Sequence, residues 1–347
     1  MRTITWNDDL QVMEMIDQRL LPQEFKINTY DKHEDVAEAI WRMVVRGAPA
    51  IGAAAAFGIV LAANQSSANE KDGLIDDLQT AGETLIQARP TAVNLPWAVR
   101  RMLKAAVEFD GSVEDLRHHL LKEAQSIADE DVATNKKLSE FGAALIDDGD
   151  HIVHHCNTGA LATVDWGTAL GVIRMAHEQG KNIHVYVDET RPRLQGARLT
   201  AWELEQYGIS YDIITDNSSG YLMRKGLVQK VIFGADRVAL NGDVANKIGS
   251  YMLALAAYDN GIPVYSTFPI STVDFDLARG ELIPIEERDQ VEVLDLKLMG
   301  QQVSPETATA RNPAFDVTPN RLLSGWITEK GVILHPFEEN LRIAMEI

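Results

Sequence analysis

The chain has 347 residues, 46% of them hydrophobic, and carries a formal net charge of -19. That length suffices for two domains or one large one with a sizeable core, while so acidic a chain is a poor fit to general nucleic-acid or anionic-membrane binding, which needs a basic surface. A single cysteine excludes an internal disulfide.

The first residues contain no apolar leader, and no apolar run is expected to approach the ~18 residues that span a membrane, so a cytoplasmic protein is expected. Short β elements are anticipated at Thr3 to Trp6 and Glu24 to Asn28, then a helix from Asp35 that stops at Arg46-Gly47. In Arg46-Gly-Ala-Pro-Ala-Ile-Gly52, Gly47 can take a positive φ, Pro49 fits the first turn of a new helix, and the Ala- and Gly-rich segment beyond allows close helix packing. Free N–H groups at that helix start, beside Arg46, would make an anion site; the competing reading is an ordinary helix–helix corner. Helical patterns continue through Leu74 to Gln87, Leu95 to Phe109 and Val113 to Asp147, with a break at Arg89-Pro-Thr-Ala-Val-Asn-Leu-Pro96. No fixed-period repeat occurs. Residues 1–130 therefore read as a mainly helical domain with a small β element.

From His151 the pattern changes. Apolar segments Ile152 onward, Ile183 to Val187, Tyr211 to Thr215, Lys230 to Phe233 and Pro263 to Ser266 alternate with helical segments Thr168 to Gln179, Gln195 to Gln206, Ser218 to Gly226 and Val244 to Asp259. Such alternation predicts βα units and a mostly parallel sheet, so residues 131–347 read as a Rossmann-like domain and the whole as an α/β protein. G-x-G-x-x-G and the P-loop pattern are both absent, which argues against a dinucleotide enzyme or a P-loop NTPase.

Cys156 falls at the carboxyl end of the first strand of that half, where open α/β sheets bind ligands; it reads as nucleophile, base or hydrogen-bond partner, or else as a buried structural cysteine. After the fourth strand comes Gly234-Ala-Asp-Arg237, and Asp236 is expected to be desolvated and protonated near neutral pH, the alternative being a loop-pinning carboxylate. Asp243 is read as an N-cap placing Asn246 and Lys247 in a helix's first turn, where a cation is better explained by a bound phosphate than by the helix dipole. Gln195, near a helix start, is suited to a polyol hydroxyl or to capping. His151, His154, His155 and Cys156 are metal-ligand types, but alternation splits them between the two sides of a strand, and no metal is expected.

Taken together, Arg46–Gly52, His-Cys-Asn-Thr-Gly-Ala-Leu-Ala-Thr (155–163), Glu-Thr-Arg-Pro (189–192), Leu-Gln-Gly-Ala-Arg-Leu-Thr-Ala (194–201), Gly-Ala-Asp-Arg-Val (234–238), Ala-Asn-Lys-Ile-Gly (245–249) and Asn-Pro-Ala-Phe-Asp-Val-Thr-Pro (312–319) resemble the methylthioribose-1-phosphate isomerase family, in order over nearly the whole chain. That family is related to regulatory subunits of the translation-initiation exchange factor and to ribose-1,5-bisphosphate isomerases. The resemblance implies a homodimer acting on a small phosphosugar without cofactor, in methionine salvage. It implies Cys156 and Asp236 as the catalytic pair, with Arg46, Gly47, Ala48, Arg89, Gln195, Asn246 and Lys247 holding the substrate.

Three segments depart from the family pattern: Val164-Asp-Trp-Gly167, Asp216-Asn-Ser-Ser-Gly220 and Ser266-Thr-Phe-Pro-Ile-Ser-Thr272. Trp166 and Phe268 there are expected to shape the pocket for the sugar's 5-substituent, unless Phe268 is a core residue. A 5-deoxyribose-1-phosphate or ribose-1,5-bisphosphate isomerase, and a non-catalytic regulatory subunit of the same fold, are the alternatives; the Cys156 and Asp236 pair speaks for catalysis.

Overall fold

The computed structural model describes residues 1–89 and 93–346. Its contacts divide the chain into two units, Met1–Asn135 with Gly159–Gly167, and Lys136–Thr158 with Thr168–Ile347. In the first unit β1 (Ile4–Asn7), β2 (Val12–Ile16) and β3 (Ile27–Tyr30) form an antiparallel meander. β2 is missing from the sequence-based expectation, because its five residues owe their conformation to pairing on both sides. Helices α1 (His33–Trp41), α2 (Ala48–Gln65), α3 (Lys71–Ala88) and α4 (Asn94–Glu108) follow, and the division between units falls within α5 (Val113–Ala143). Residues 90–92 of the expected break between α3 and α4 lie outside the described residues.

α2 is buried on every side from Ala50 to Ala63, because α1, α3 and α4 pack around it. A helix apolar all round is stable only when so enclosed. Among the described residues it is the one helix long and apolar enough to cross a membrane, contrary to the expectation of no such run, yet 78% of it is buried within the protein. It is thus the core helix of the first unit, with Phe57 stacked on Trp6 at 6.0 Å.

The second unit continues with β4 (His151–His154), α6 (Ala169–Glu178), β5 (His184–Asp188), α7 (Ala201–Tyr207), β6 (Ser210–Ile214), α8 (Ser219–Arg224), β7 (Lys230–Phe233), β8 (Arg237–Ala239) and β9 (Val244–Lys247). Then come α9 (Ser250–Asp259), β10 (Val264–Thr267), β11 (Val273–Asp274), α10 (Val291–Leu294), β12 (Lys297–Leu298), β13 (Gln301–Gln302), β14 (Phe315–Thr318), β15 (Gly325–Thr328), β16 (Gly331–Ile333) and α11 (Phe337–Met345). The main sheet has seven strands in the order β16-β15-β10-β7-β4-β5-β6, parallel except for β16. Its chain order reverses between β4 and β7, as in doubly wound nucleotide-binding sheets. Val185 and Val187 face a core shared with α6, while Val153, Val231 and Phe233 belong to a second core with Leu253, Trp326 and Phe337.

A four-stranded sheet, β11-β8-β9-β14, adjoins the end of β7 in sequence. It corrects one expectation: Val244 to Lys247 is a strand, paired antiparallel with Phe315–Thr318, and the helix begins only at Ser250. Asp243 is not a helix cap. Its carboxylate accepts from Asn241 Nδ2, Gly280 N and Asn320 N, pinning three loops.

Candidate active site

The switch point of the main sheet lies between the neighbouring strands β4 and β7, in register at His154 and Ile232. Ligands of such sheets bind in the crevice beyond the carboxyl ends at this point. Cys156 follows β4 by two residues and Asp236 follows β7 by three, so the topology brings the two sequence-predicted catalytic residues to adjacent strand ends. Gly234 lets the loop after β4 pack on the end of β7, since a Cβ there would lie 2.7 Å from Thr158 Cγ2.

Cys156 is 5% exposed and adopts φ +69°, a left-handed conformation uncommon for a residue with a side chain. Its N–H donates to Thr190 Oγ1 at 2.9 Å and its carbonyl accepts from Thr200 Oγ1 at 2.7 Å. Thr190 is itself left-handed, φ +63°, an outlier for a β-branched residue. Strain of this kind, of order 1–3 kcal/mol each, persists where surroundings over-determine it and clusters at functional sites. Asn157 beside it is held by Thr200 Oγ1 and by the buried Glu203.

Asp236 is exposed, so the desolvation expected from its sequence setting is not supplied by the chain's own packing. The residues from Lys230 to Gly234 are buried, but Ala235 is half-buried and Asp236 exposed. Its backbone N–H donates to Ala245 O at 2.9 Å, tying it to β9, which carries Asn246 and Lys247. Asn246 donates to Ser250 Oγ at 2.8 Å. Lys247 is 7% exposed, donates to Ala314 O at 3.0 Å and has its ammonium 4.5 Å from the Phe315 ring centroid. The start of α9 is already occupied: Asp316 accepts from Gly249 N and Tyr251 N, and burial raises its pKa. That helix N-terminus is therefore not an open anion site, and positive charge beside β9 comes from Lys247 itself.

Gln195 precedes a wide helical turn, Gly196–Thr200, that leads into α7. It is 6% exposed and its Oε1 has no hydrogen-bond partner. A buried acceptor without a donor is costly, and a sugar hydroxyl would satisfy it. Phe268, by contrast, is a core residue: 1% exposed, with its ring 5.4 Å from Trp326 in an edge-on contact. Trp166 is buried with φ +75° in the Gly159–Gly167 strip of the first unit, not at a strand end of the main sheet.

Arg46, Gly47, Ala48 and Arg89 belong to the first unit. Gly47 takes φ +94° and lies so close to Ala162 that a Cβ would sit 2.1 Å from its carbonyl oxygen. α2 starts at Ala48 with Pro49 in its first turn, and Gly47 as N-cap offers no side chain to its leading N–H groups. Arg46 and Ala48 are half-buried at that start, and Arg89, also half-buried, ends α3.

Sequence reasoning weighed His155 only as a metal-ligand type and passed over Asp188; the two lie together behind Cys156. His155 Nδ1 meets Asp188 Oδ2 at 2.9 Å, both residues buried, and Nε2 meets the carbonyl of the half-buried Ile248 at 2.9 Å. Burial opposes charge on His155, but the bond and field of Asp188 outweigh it and raise its pKa. Among the described residues His155, Asp188 and Asp216 have possible ligand atoms within 4.8 Å of one another. Both His155 nitrogens are engaged, and Asp216 accepts from Thr190 N and Arg191 N, so these groups are committed to the protein. The signal for His155 was its place beside Cys156, together with an Asp ending the neighbouring apolar strand.

The initiation factor 2 subunit family model matches residues 44–335. The methylthioribose-1-phosphate isomerase of Synechococcus sp. is 52% identical over 95% of this chain and 94% of its own length. The structure of 5-methylthioribose 1-phosphate isomerase from Pyrococcus horikoshii OT3 superposes with a TM-score of 0.93 at 46% identity, covering 99% of this chain and 96% of that one. That of translation initiation factor eIF-2B subunit delta from A. fulgidus gives 0.91 at 43% identity, covering 100% of both. The chain thus belongs to the methylthioribose-1-phosphate isomerase family, within the initiation factor 2 subunit family.

Proposed function

We propose that this chain is an aldose–ketose isomerase that converts 5-methylthioribose 1-phosphate to 5-methylthioribulose 1-phosphate in methionine salvage. The observation that carries the reading is that Cys156 and Asp236, 80 residues apart in the chain, follow the adjacent strands β4 and β7 at the switch point, in a chain 52% identical to a relative of that name.

The substrate's anomeric oxygen carries phosphate, so no free aldehyde forms spontaneously. An acid must protonate the ring oxygen as the C1–O4 bond breaks, a role assigned to Asp236. Hydrogen then moves from C2 to C1 while the 2-hydroxyl loses its proton and becomes the ketone, which returns to the carboxylate the proton it gave. Cys156 serves as base if the C2 hydrogen leaves as a proton through an enediol, or stabilises the transition state if it moves as hydride. Because Asp236 is exposed in the free chain, the apolar surroundings that would keep it protonated have to come from the bound sugar and the water it displaces.

Lys247 and Asn246 are assigned to the phosphosugar, Gln195 to a hydroxyl through its unsatisfied Oε1, and Arg46, Gly47, Ala48 and Arg89 to further substrate contacts. No cofactor is needed for an internal hydrogen transfer. We take the working form to be a homodimer in the cytoplasm, which mass measurement in solution tests. The likeness to the A. fulgidus protein favours a second reading, a sugar-phosphate-binding regulatory subunit. A ketose-product assay with 5-methylthioribose 1-phosphate and 5-deoxyribose 1-phosphate decides: turnover of the first supports the isomerase, turnover of only the second reassigns the substrate, and binding without turnover supports the regulatory reading.

A further inference from the structure

We propose that the buried His155–Asp188 pair is a strut that sets the Cys156 thiol against the Asn246–Lys247 segment, acting on the reaction through position alone. The inference rests on the isomerase reading above. His155 joins three chain segments at once. It directly precedes Cys156, its Nδ1 meets Asp188 at the end of β5, and its Nε2 meets the carbonyl of Ile248, the residue after Lys247.

Asp188 is fixed in turn. Its Oδ1 accepts from Ser219 Oγ at 2.6 Å, and its backbone carbonyl accepts from Thr190 Oγ1, the same hydroxyl that receives the Cys156 N–H. The ring packs directly on the backbone of Gly249, where a Cβ would lie 2.8 Å from His155 Cε1. The left-handed Cys156 is thus held from the residue before it, through the Asp188 carboxylate, and from its own N–H, through Thr190 to the Asp188 backbone carbonyl, so both branches end on one residue.

A carbonyl only accepts, so Nε2 must carry the hydrogen given to Ile248, and one further proton lies between Nδ1 and Oδ2. Imidazolium with carboxylate, or two neutral groups, satisfy this equally. The charged groups around the ring are Asp188 on β5, Asp216 after β6 and Asp316 on β14, with His154 on β4. A strut and a charge effect on the thiol differ in what an amide can replace. In Asp188→Asn the amide N–H can donate to Nδ1, leaving Nε2–H on Ile248 and the oxygen on Ser219, so every bond survives without charge. In Asp188→Ala one end of the strut is gone.

The test compares both variants with wild type, using kcat and KM for the phosphosugar and the rate at which iodoacetamide alkylates Cys156, the only cysteine in the chain. A thiol misplaced by about 1 Å loses about 10- to 100-fold in kcat. The strut predicts that loss in Asp188→Ala with KM within about threefold, near-normal kcat in Asp188→Asn, and an alkylation rate altered in the alanine variant alone. Equal losses in both variants would make charge the cause, and no loss in either would leave the pair without a role; each overturns the proposal. If Asp188→Ala does not fold, Ser219→Ala, one bond lighter, should still lower kcat about threefold or more at unchanged KM, and an unchanged kcat overturns the strut. If wild type turns over neither sugar, the isomerase reading fails and the alkylation comparison decides the strut by itself.

Discussion

Replacing Phe268 by alanine separates two roles that the chain's departure from its family pattern left open. The ring is 1% exposed, stands edge-on to Trp326 at 5.4 Å and 64°, and Trp326 in turn stacks on Phe337 at 4.4 Å. Truncating a buried phenylalanine removes its transfer free energy and leaves a cavity, together about 3–5 kcal/mol. The rigid aromatic cluster leaves little scope for collapse, which favours the upper part of that range. With a urea slope near 3 kcal/mol/M, the midpoint of the second unit's unfolding should fall by about 1 M or more. The ratio of kcat/KM for 5-methylthio and 5-deoxy sugars should stay within about twofold, because a methylthio group is discriminated only by a pocket that touches it. Urea titrations followed by far-UV dichroism and by fluorescence, which also reveal separate transitions of the two units, and assays on both substrates supply the numbers. A stability loss under about 1 kcal/mol together with a fivefold change in that ratio would refute the core assignment.

Cys156→Ala and Asp236→Asn should each lower kcat by about 100-fold or more with unchanged dichroism, the alanine meeting the same left-handed φ without new strain; near-normal turnover in either removes that residue from the catalytic pair. Lys247→Met and Arg46→Ala should raise KM about tenfold or more through loss of a charge-assisted phosphate bond, with kcat less affected, and unchanged KM in both would displace the phosphate from these groups. Asp131, whose carboxylate accepts from Val164 N and Asn135 Nδ2, is pushed up to about 7 by desolvation. The folded chain then holds more protons than the unfolded one between about pH 4 and 7, so stability should fall as pH rises through that window. Part of Asp131 reaches solvent, which keeps the slope well below its ceiling, and Asp131→Asn should flatten it; an unchanged slope of stability against pH would assign the effect elsewhere.

What was readable in the sequence was what local pattern dictates. Short apolar runs alternating with amphipathic segments marked the parallel strands and helices from His151 on, and Gly47 with Pro49 marked a turn and a helix start that the structure shows at φ +94°. Cys156 and Asp236 were legible as residues after strands. Pairing was not legible. Val244–Lys247 looks helical when read with the helix after it, and is a strand only because Phe315–Thr318, some 70 residues later, lies against it. Exposure of Asp236 and burial of Phe268 likewise depend on what distant segments cover, and the His155–Asp188 contact joins residues 33 apart. A side chain's neighbours of that kind leave no periodicity to find.

The strip Gly159–Gly167 bears on how this protein can be cut and made. It is grouped with Met1–Asn135 although 23 residues of the other unit intervene in the chain. Thr3 donates to Ala160 O and Val164 O, Gln18 Nε2 donates to Leu161 O, and Asp131 receives the Val164 N–H. An excised fragment ending at Asn135 would lack the peptide that these groups bind, along with Val164 from its core and the carbonyl on which Gly47 packs. On the ribosome the same logic sets an order of events: the amino-terminal unit, though emerging first, cannot close until Gly167 has left the exit tunnel, by which time β4 and its cysteine have already been made. A fragment of this chain meant to hold the amino-terminal unit therefore has to reach past that strip rather than stop where the helical pattern ends.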